Sequence, residues 1–337
     1  MQAIQRRLAI GAIALLGSSA LFGGSLSVVL DNDVLFNSDD AYSGGIIVNW
    51  MSEEYRDPSA SKFSRTYMDG YRELLDTLVP GDVDRSYRNA SISLQQSIMT
   101  PENTDLATAN YYDFPYVGVL NLTGSYYAWN ADAFDEYRIV AGVIGPAAGG
   151  EFSQKLVHDI TGNADPRGWD TQLGTTWFAG AGYMHGQKHL SRPLENGLRF
   201  ELFSSYNADV GNHFVGLNGG LSFRIGRNMP NNFQSISTLL GVSSNRYLRF
   251  DNPSGDTLSW TIHGGAYANL VGYSWIIEEA KDRGYRINDD PLFLTGNAGL
   301  DLYMDDWQLS FDLFPTRMYA RNERTGSWVR MTLTYYY

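Results

Sequence analysis

The C-terminal segment of this chain restricts its fold more than any other feature. From residue 329 onward, every second side chain is apolar or aromatic: Val329, Met331, Leu333, Tyr335 and Tyr337. The intervening residues are Arg330, Thr332, Thr334 and Tyr336. A two-residue period is typical of a β-strand whose two faces lie in different surroundings. The same alternation occurs within 307–313, 198–202 and 137–143, which predicts an all-β chain.

The first 24 residues have the features of a cleaved export signal. Arg6 and Arg7 precede a short apolar stretch at 8–16, and small residues follow within 18–24. Residues 1–24 are therefore predicted to be a signal peptide, and residues 25–337 a single exported domain. A terminal aromatic residue that follows alternating apolar ones is also typical of proteins assembled into the Gram-negative outer membrane.

Alternation alone fits either a soluble sandwich or a membrane barrel, because the two differ in which face is apolar. The export signal, the terminal aromatic and a content of 22 tyrosines and 8 tryptophans favour the barrel, since aromatic girdles line both membrane interfaces. No apolar run of 18 or more residues follows the N-terminus, which excludes helical spans. An open sheet edge in lipid would lack hydrogen-bond partners, so we predict a closed antiparallel transmembrane β-barrel.

Twelve segments are predicted to be the barrel strands. They are residues 25–33, 42–51, 88–99, 117–130, 136–145, 171–187, 196–207, 213–226, 258–273, 292–304, 306–317 and 327–337. A thirteenth candidate, 235–249, is weaker. Because single-chain bacterial barrels have an even number of strands, residues 227–257 are interpreted as a long connection.

Periplasmic termini would place the connections after odd-numbered strands outside the cell. Residues 34–41, 100–116 and 146–170 are then the first three outer loops, whereas 52–87 and 131–135 face the periplasm. Within the first periplasmic connection, apolar residues recur at helical spacing over 62–79. This pattern predicts a short helical insertion that acts as a structural cover.

Composition restricts the possible partners. The net charge is −12 at pH 7, which argues against nucleic acid because a phosphate backbone needs a basic surface. The chain has no cysteine, so no disulfide can form. Acidic side chains remain compatible with a metal cation.

Oxygen-bearing side chains cluster around the first outer loop. Asp31-Asn32-Asp33 end the first strand, Asn37-Ser38-Asp39-Asp40 follow, and Tyr42-Ser43-Gly44-Gly45 begin the second. Oxygen ligands at this density suit a hard cation such as Ca²⁺. The same residue types also make ordinary solvated turns. The spacing is not that of an EF-hand, which has a central Gly and a closing Glu.

Of the five histidines, only His158 is expected on the same side of the membrane as this acidic loop. His185 and His189 fall near a predicted periplasmic turn, and His213 and His263 fall near strand ends or within a strand. Joint chemistry would require His158 to lie close to Asn32 and Asp33, which the sequence does not establish.

Several motifs, taken in order along the chain, resemble the lipid A 3′-O-deacylase family. They are Asn32-Asp33, Tyr42-Ser43-Gly44-Gly45, Gly145-Pro146 with Gly149-Gly150, His158, and Gly168-Trp169-Asp170 with Gln172. The resemblance extends from the first strand to the terminal aromatic. It implies a twelve-stranded outer-membrane barrel that acts on lipid A of lipopolysaccharide. The implied activity is calcium-dependent removal of the acyloxyacyl group at the 3′ position.

The resemblance also implies roles for individual residues. Asn32 and Asp33 would hold Ca²⁺, His158 would be the catalytic histidine, and Ser43 would occupy the position of the family's Thr or Ser after a Tyr. The Gly-rich stretch 145–150 and Trp169 would be structural parts of the site loop.

Contacts with the substrate are expected from Gly44, Lys155 and Arg167. The chain departs from the family at 39–41, where Asp-Arg commonly precedes the Tyr, and in the loop 101–116, which has no Lys or Arg. Because phosphates prefer Arg or Lys, Lys155 and Arg167 would have to supply that charge. Outer-membrane lipid is the expected surrounding and a monomer the expected state.

The hypothesis that follows is a metal-assisted ester hydrolysis. His158 would take a proton from water as general base, and Ca²⁺ would stabilise the oxyanion. Ser43 would orient the substrate or act as the nucleophile; water is preferred, because no G-x-S-x-G motif surrounds Ser43. Neighbouring strand residues point to opposite faces, so Asn32 and Asp33 share a site only where the strand ends or bulges.

Two other functions stay open at this point. An outer-membrane phospholipase would use similar ester chemistry, whereas a small porin or structural barrel would need none. The inward charges of Arg138, Glu136, Arg199, Glu201 and Asp312 are expected to pair within a narrow lumen.

Overall fold

The fold is a closed antiparallel barrel of twelve strands. The structure is a computed structural model that describes residues 24–32, 44–54, 87–234, 248, 259–316, 320–321 and 326–337. The barrel strands are β1 Gly24–Asn32, β2 Gly44–Ser52, β3 Tyr87–Met99, β4 Val117–Trp129, β5 Ala133–Ile144, β6 Thr176–Pro193, β7 Leu198–Gly211, β8 Phe214–Arg227, β9 Ser259–Ser274, β10 Leu292–Met304, β11 Trp307–Thr316 and β12 Gly326–Tyr336. The predicted fold class and strand number are confirmed.

The helices lie in the connections between strands. The two α-helices are α1, Gly150–Thr161, and α2, Trp275–Asp282. Short 3-10 turns occur at Pro146–Ala148, Trp169–Thr171 and Glu195–Gly197, and Asn288–Asp289 pairs with Ala320–Arg321 in a separate two-stranded ladder. No helix of the described residues has the length and apolar character that a membrane crossing requires.

Strands β1 and β12 close the barrel. They pair antiparallel from Ser25 opposite Tyr336 to Asn32 opposite Val329. On the inner face, Arg330 donates to both carboxylate oxygens of Asp31, at 2.7 and 2.8 Å. The alternating C-terminal segment 329–337 thus belongs to the strand that removes the last free edge of the sheet.

The two faces of the wall have the polarity of a membrane barrel. On β8, Asn218, Ser222 and Arg224 are buried towards the lumen. On the opposite face of the strand, Leu217 and Leu221 are 53% and 58% exposed. An apolar exterior around a polar interior is the reverse of a soluble sandwich and fits a barrel in the outer membrane.

Inward-facing charges form pairs, as the sequence predicted. Arg138 lies 3.3 Å from Glu136 and 2.8 Å from Asp209. Glu201 accepts from Arg224 at 2.6 Å and lies 3.3 Å from Arg199. Buried ions in a low-dielectric interior are tolerated only when they are paired in this way.

The periplasmic end of the lumen is filled by the chain that follows β8. Arg224, which is fully buried, donates to the carbonyls of Pro230 and Asn232 at 3.2 and 3.0 Å. Phe233 packs edge-on against Phe134, with ring centroids 5.0 Å apart, and contacts Trp129. Residues 228–234 therefore fold into the barrel mouth.

The outer end is covered by α2 and the turns around it. Ile276, Ile277 and Ala280 are buried in one apolar cluster with Phe178 and Phe214 from the wall. The backbone N–H of Arg286 donates to the carbonyl of Tyr111 at 2.7 Å, which joins this cover to the loop between β3 and β4. Described residues thus pack into both ends of the barrel, which disfavours the open-porin alternative.

Some predicted boundaries differ from the structure. The periplasmic turn between β4 and β5 is 130–132 rather than 131–135, because the side chain of Asn130 accepts from the backbone N–H of Asp132 and Ala133 and tightens it. Strand β6 extends to Pro193, and β7 continues to Gly211. The predicted helix at 62–79 lies outside the described residues, as does the weak strand at 235–249 apart from Leu248.

Candidate active site

Helix α1 packs against the outer, lipid-facing surface of the barrel. Asn32, Gly44, Ile98 and Gly118 are paired in sequence across β1 to β4 and form one cross-strand row. Their alternation with buried inward residues places all four on the exterior. A Cβ added to Gly118 would lie 3.1 Å from the Cα of Gly150, so the first residue of α1 touches the wall.

The glycine-rich stretch 145–150 makes this approach possible. Gly145 has a φ of 90° and Gly149 a φ of 71°, conformations that L side chains rarely adopt. The N–H of Gly145 donates to the carbonyl of Gly118 at 2.8 Å. These turns redirect the chain from the end of β5 onto the outer face of β4.

Gln96 of β3 anchors α1 to the wall. The outward positions of this strand are Ile92, Leu94, Gln96 and Ile98, so Gln96 is a polar residue among apolar ones. Its Nε2 donates to the carbonyl of Ala148 at 2.6 Å, and its Oε1 accepts from the hydroxyl of Ser153. Both ends of the amide are therefore used at the start of the helix.

Trp169 supports α1 from the other end of the loop. Its ring is buried against Tyr116, with centroids 5.0 Å apart, and against Ile98. Its Nε1 donates to Oε1 of Gln154 at 2.8 Å. The Gly-Trp-Asp motif thus positions the helix, in keeping with the structural part that the resemblance implies for Trp169.

His158 lies in the last turn of α1. Its Nδ1 is 2.6 Å from the carbonyl oxygen of Ala164. A carbonyl only accepts, so Nδ1 carries the proton in the neutral ring and Nε2 carries the basic lone pair. The hydrogen bond therefore fixes the tautomer and orients the imidazole.

The structure brings several predicted site residues to the same outer rim. Asn32 and Gly44 lie on the exterior of β1 and β2, while His158 and Lys155 belong to the helix seated on β3 and β4. Three strand spacings, about 14 Å, separate Asn32 from Gly118 beneath the start of α1. Asp33 and Ser43 lie outside the described residues.

Asp31 is separated from this rim. It faces the lumen and accepts hydrogen bonds from Arg330. Asp31 therefore cannot serve as an oxygen ligand at the rim, although the sequence grouped it with Asn32 and Asp33. Among the residues that the structure describes, no three His, Asp or Glu side chains are placed to hold a metal ion together. Asn32 supplies one suitable amide oxygen, and further ligands would have to come from 33–43.

The prediction that His158 is the only histidine on the outer side is wrong. His213 also lies on the outer side, in the turn between β7 and β8, so His158 is not alone there. Its ring stacks on Phe178, with centroids 4.0 Å apart, six strands around the barrel from β1. The sequence predicted this turn at 208–212, because the predicted β7 ended too early, and so assigned His213 to the start of β8.

The remaining histidines are engaged within the barrel wall. His185 lies 2.8 Å from Asp135, and Nε2 of His189 lies 2.7 Å from the hydroxyl of Ser204. His263 lies in the lumen between two carboxylates, those of Asp301 and Asp312.

Positive charge near the rim comes from more residues than the sequence suggested. Lys155 pairs with Glu151 at 2.7 Å, and this hydrogen bond raises the pKa of Lys155, which keeps it charged. Arg167 is exposed, with its backbone N–H on the carbonyl of Thr104 at 2.9 Å. Arg283, beyond α2, donates to the carbonyl of Gln172 at 3.2 Å and was missed, because its loop carried no motif.

Comparison with known proteins identifies the family. The family model described as outer membrane protein LpxR matches residues 8–337. The chain belongs to the LpxR family. The LpxR structure from Salmonella typhimurium superposes with a TM-score of 0.72 at 16% identity, covering 93% of this chain and all of that one. At 16% sequence identity, this structural similarity supports a shared barrel fold.

Other barrels are more distant. The β domain of the Bordetella autotransporter BrkA has a TM-score of 0.46 at 10% identity and covers 94% of this chain and 100% of that one. The NalP translocator of Neisseria meningitidis has a TM-score of 0.37 at 9% identity, covering 100% of this chain and 98% of that one. A search of curated protein sequences gives no match.

Proposed function

We propose that this LpxR-family barrel is a calcium-dependent esterase that removes the 3′-linked acyloxyacyl group of lipid A in the outer leaflet. The observation that supports it most is the placement of α1. The helix carries His158 and begins on the exterior of β4, over Gly118 of the outward row that also contains Asn32 and Gly44. A lipid of the outer leaflet reaches that face by lateral diffusion.

His158 acts as the general base. With Nδ1 held by Ala164, Nε2 accepts the proton of a water molecule that attacks the ester carbonyl. The same ring then returns the proton to the departing sugar oxygen. Gln96 and Trp169 contribute by holding the helix that carries the ring.

The proposed calcium site is formed by Asn32 and Asp33. Carboxylate and amide oxygens suit a flexible hard-cation site, and the exterior position of Asn32 gives that residue access to the rim. When bound, the ion would supply oxyanion stabilisation. Ser43 orients the ester. It is also the alternative nucleophile to water.

Cationic side chains bind the lipid A phosphates in this proposal. Lys155 and Arg167 lie on the loop that carries α1, and both have exposed charge. Gly44 lets the sugar approach the wall, because it adds no side chain to the outward row. These contacts replace the basic residues that the loop 101–116 lacks.

Mass spectrometry of lipid A from cells with and without the protein tests the reaction. Loss of one acyloxyacyl unit is expected with the wild type, and unmodified lipid A with His158→Gln at equal barrel content. Unchanged lipid A together with released fatty acid from glycerophospholipids would replace the proposal with the phospholipase alternative. Full activity of the His158 variant would remove the ring from the mechanism.

A further inference from the structure

Helix α1 has an apolar flank that the described part of the chain leaves exposed. Phe152 and Leu156 are 49% and 47% exposed. Residues 152 and 156 are one turn apart, so their side chains form a continuous stripe. Large apolar side chains clustered in this way usually mark a surface that contacts another apolar medium.

The helix has three distinct faces. Gly150, Ser153 and Gln154 make the contacts with the barrel wall or with Trp169. At 3.6 residues per turn, the apolar stripe then lies on one side of this contact line. The opposite flank carries the charged or polar residues Glu151, Lys155 and His158.

Helix α1 adjoins the lipid-facing belt of the barrel. On β3 and β4, outward Ile92, Leu94 and Leu122 are 48%, 50% and 53% exposed. Two residues beyond Leu94, the same face reaches Gln96 and α1. The helix therefore lies at the outer edge of a surface that hydrocarbon already covers.

We propose that α1 is an interfacial helix whose Phe152 and Leu156 pack against the hydrocarbon chains of outer-leaflet lipid. Its polar flank faces the headgroup layer, which is the usual arrangement of an amphipathic helix at a membrane surface. This lipid contact does not depend on any enzymatic activity. In an extension that rests on the proposed function, the contact also places His158 at the level where acyl esters meet the sugar.

Nitroxide labels on single cysteines test this contact, because the chain has no cysteine of its own. Leu156→Cys reports on the flank, Leu122→Cys on the lipid-facing wall, and Glu151→Cys on the polar side. Each labelled protein is reconstituted into palmitoyl-oleoyl-phosphatidylcholine vesicles. Power saturation then compares collisions with dissolved oxygen, which enriches in hydrocarbon, and with a water-soluble nickel chelate.

The proposal predicts that the label at 156 resembles the one at 122, with high oxygen and low nickel accessibility, whereas the label at 151 shows the reverse. Nickel accessibility at 156 equal to that at 151 would overturn it. So would spin–spin broadening at 156, since this would mean that a second copy covers the flank. Leu156→Ser provides an independent arm, in which hydrolysis of vesicle-embedded lipid A should fall and hydrolysis in detergent micelles should not.

Failure of the interfacial helix can be distinguished from failure of the proposed function. Labels that report hydrocarbon contact in a protein without esterase activity would retain the interfacial helix and end the proposed function. An active enzyme with a water-exposed label at 156 would do the opposite. Heat-modified gel mobility confirms that every variant contains a folded barrel.

Discussion

The replacement Gln96→Leu tests how α1 is held. Leucine continues the apolar outward face of β3 but removes the donor to Ala148 and the acceptor for Ser153. Each net hydrogen bond contributes about 1 kcal/mol, so the docked helix should lose about 2 kcal/mol relative to the detached one. That difference corresponds to an approximately 30-fold shift in the docking equilibrium.

Hydrogen exchange of the α1 amides measures this shift directly. Protection of residues 150–161 should fall about 30-fold in Gln96→Leu, whereas the protection of β3 and β4 should stay unchanged. Lipid A hydrolysis should slow in the same variant, since the ring of His158 is then positioned for a smaller fraction of the time. The effect on kcat should exceed that on KM.

Gln95→Leu is the matched control. It makes the same chemical change one residue earlier, on the lumen side of β3, where Gln95 donates to Ser97 at 3.0 Å. Its α1 protection should remain that of the wild type. Wild-type protection in Gln96→Leu as well, or an equal loss in both variants, would refute the anchoring role of Gln96.

Three further predictions concern the ion, the lumen and the outer turn. Chelation of Ca²⁺ should stop lipid A hydrolysis and added Ca²⁺ should restore it, while equally effective rescue by Mg²⁺ would count against a large, flexible oxygen site. In planar bilayers the protein should give no sustained channel conductance, because 228–234 and α2 fill the two ends of the lumen; stable open-channel steps would contradict those covers. Burial lowers the pKa of His213 to about 4, with Asp209 acting in the opposite direction, whereas an unfolded chain would take up the proton near pH ~6.5. The stability contributed by the neutral ring should therefore be present above about pH 6.5 and be lost as the pH falls through about 4. Urea unfolding should show a weaker acid dependence in His213→Phe, and an identical dependence in both proteins would exclude this ring as its source.

Most of the barrel is predictable from the sequence because strand alternation is a local pattern. Val329, Met331 and Leu333 face lipid while Arg330 and Thr332 face the lumen, as the two-residue period requires. Strand ends were less predictable, since turns depend on side-chain contacts such as those of Asn130. The charge pairs of the lumen followed from the same alternation, which put Glu136 and Arg138 on one face.

The arrangement of the candidate site was less accessible. Residues 150–161 carry no strong signal for a helix that docks on a membrane-facing wall, because its contacts are made by Gly118 and Gln96, far away in the chain. The isolated Gln96 in an apolar row was the one available clue. The partner of Asp31 was also not evident, because Arg330 lies at the other end of the chain.

The central claim is that the acyl ester binds on the exterior, between α1 and the row containing Asn32. A crystal structure of His158→Gln with Ca²⁺ and intact lipid A tests it most directly, because this variant should bind substrate without consuming it. The account predicts the 3′ ester carbonyl beside Asn32, within hydrogen-bond reach of the side chain at 158, with the acyl chains running along the outward face of β1 to β4. Lipid A bound in the lumen, or on the opposite wall at β6 to β8, would contradict it.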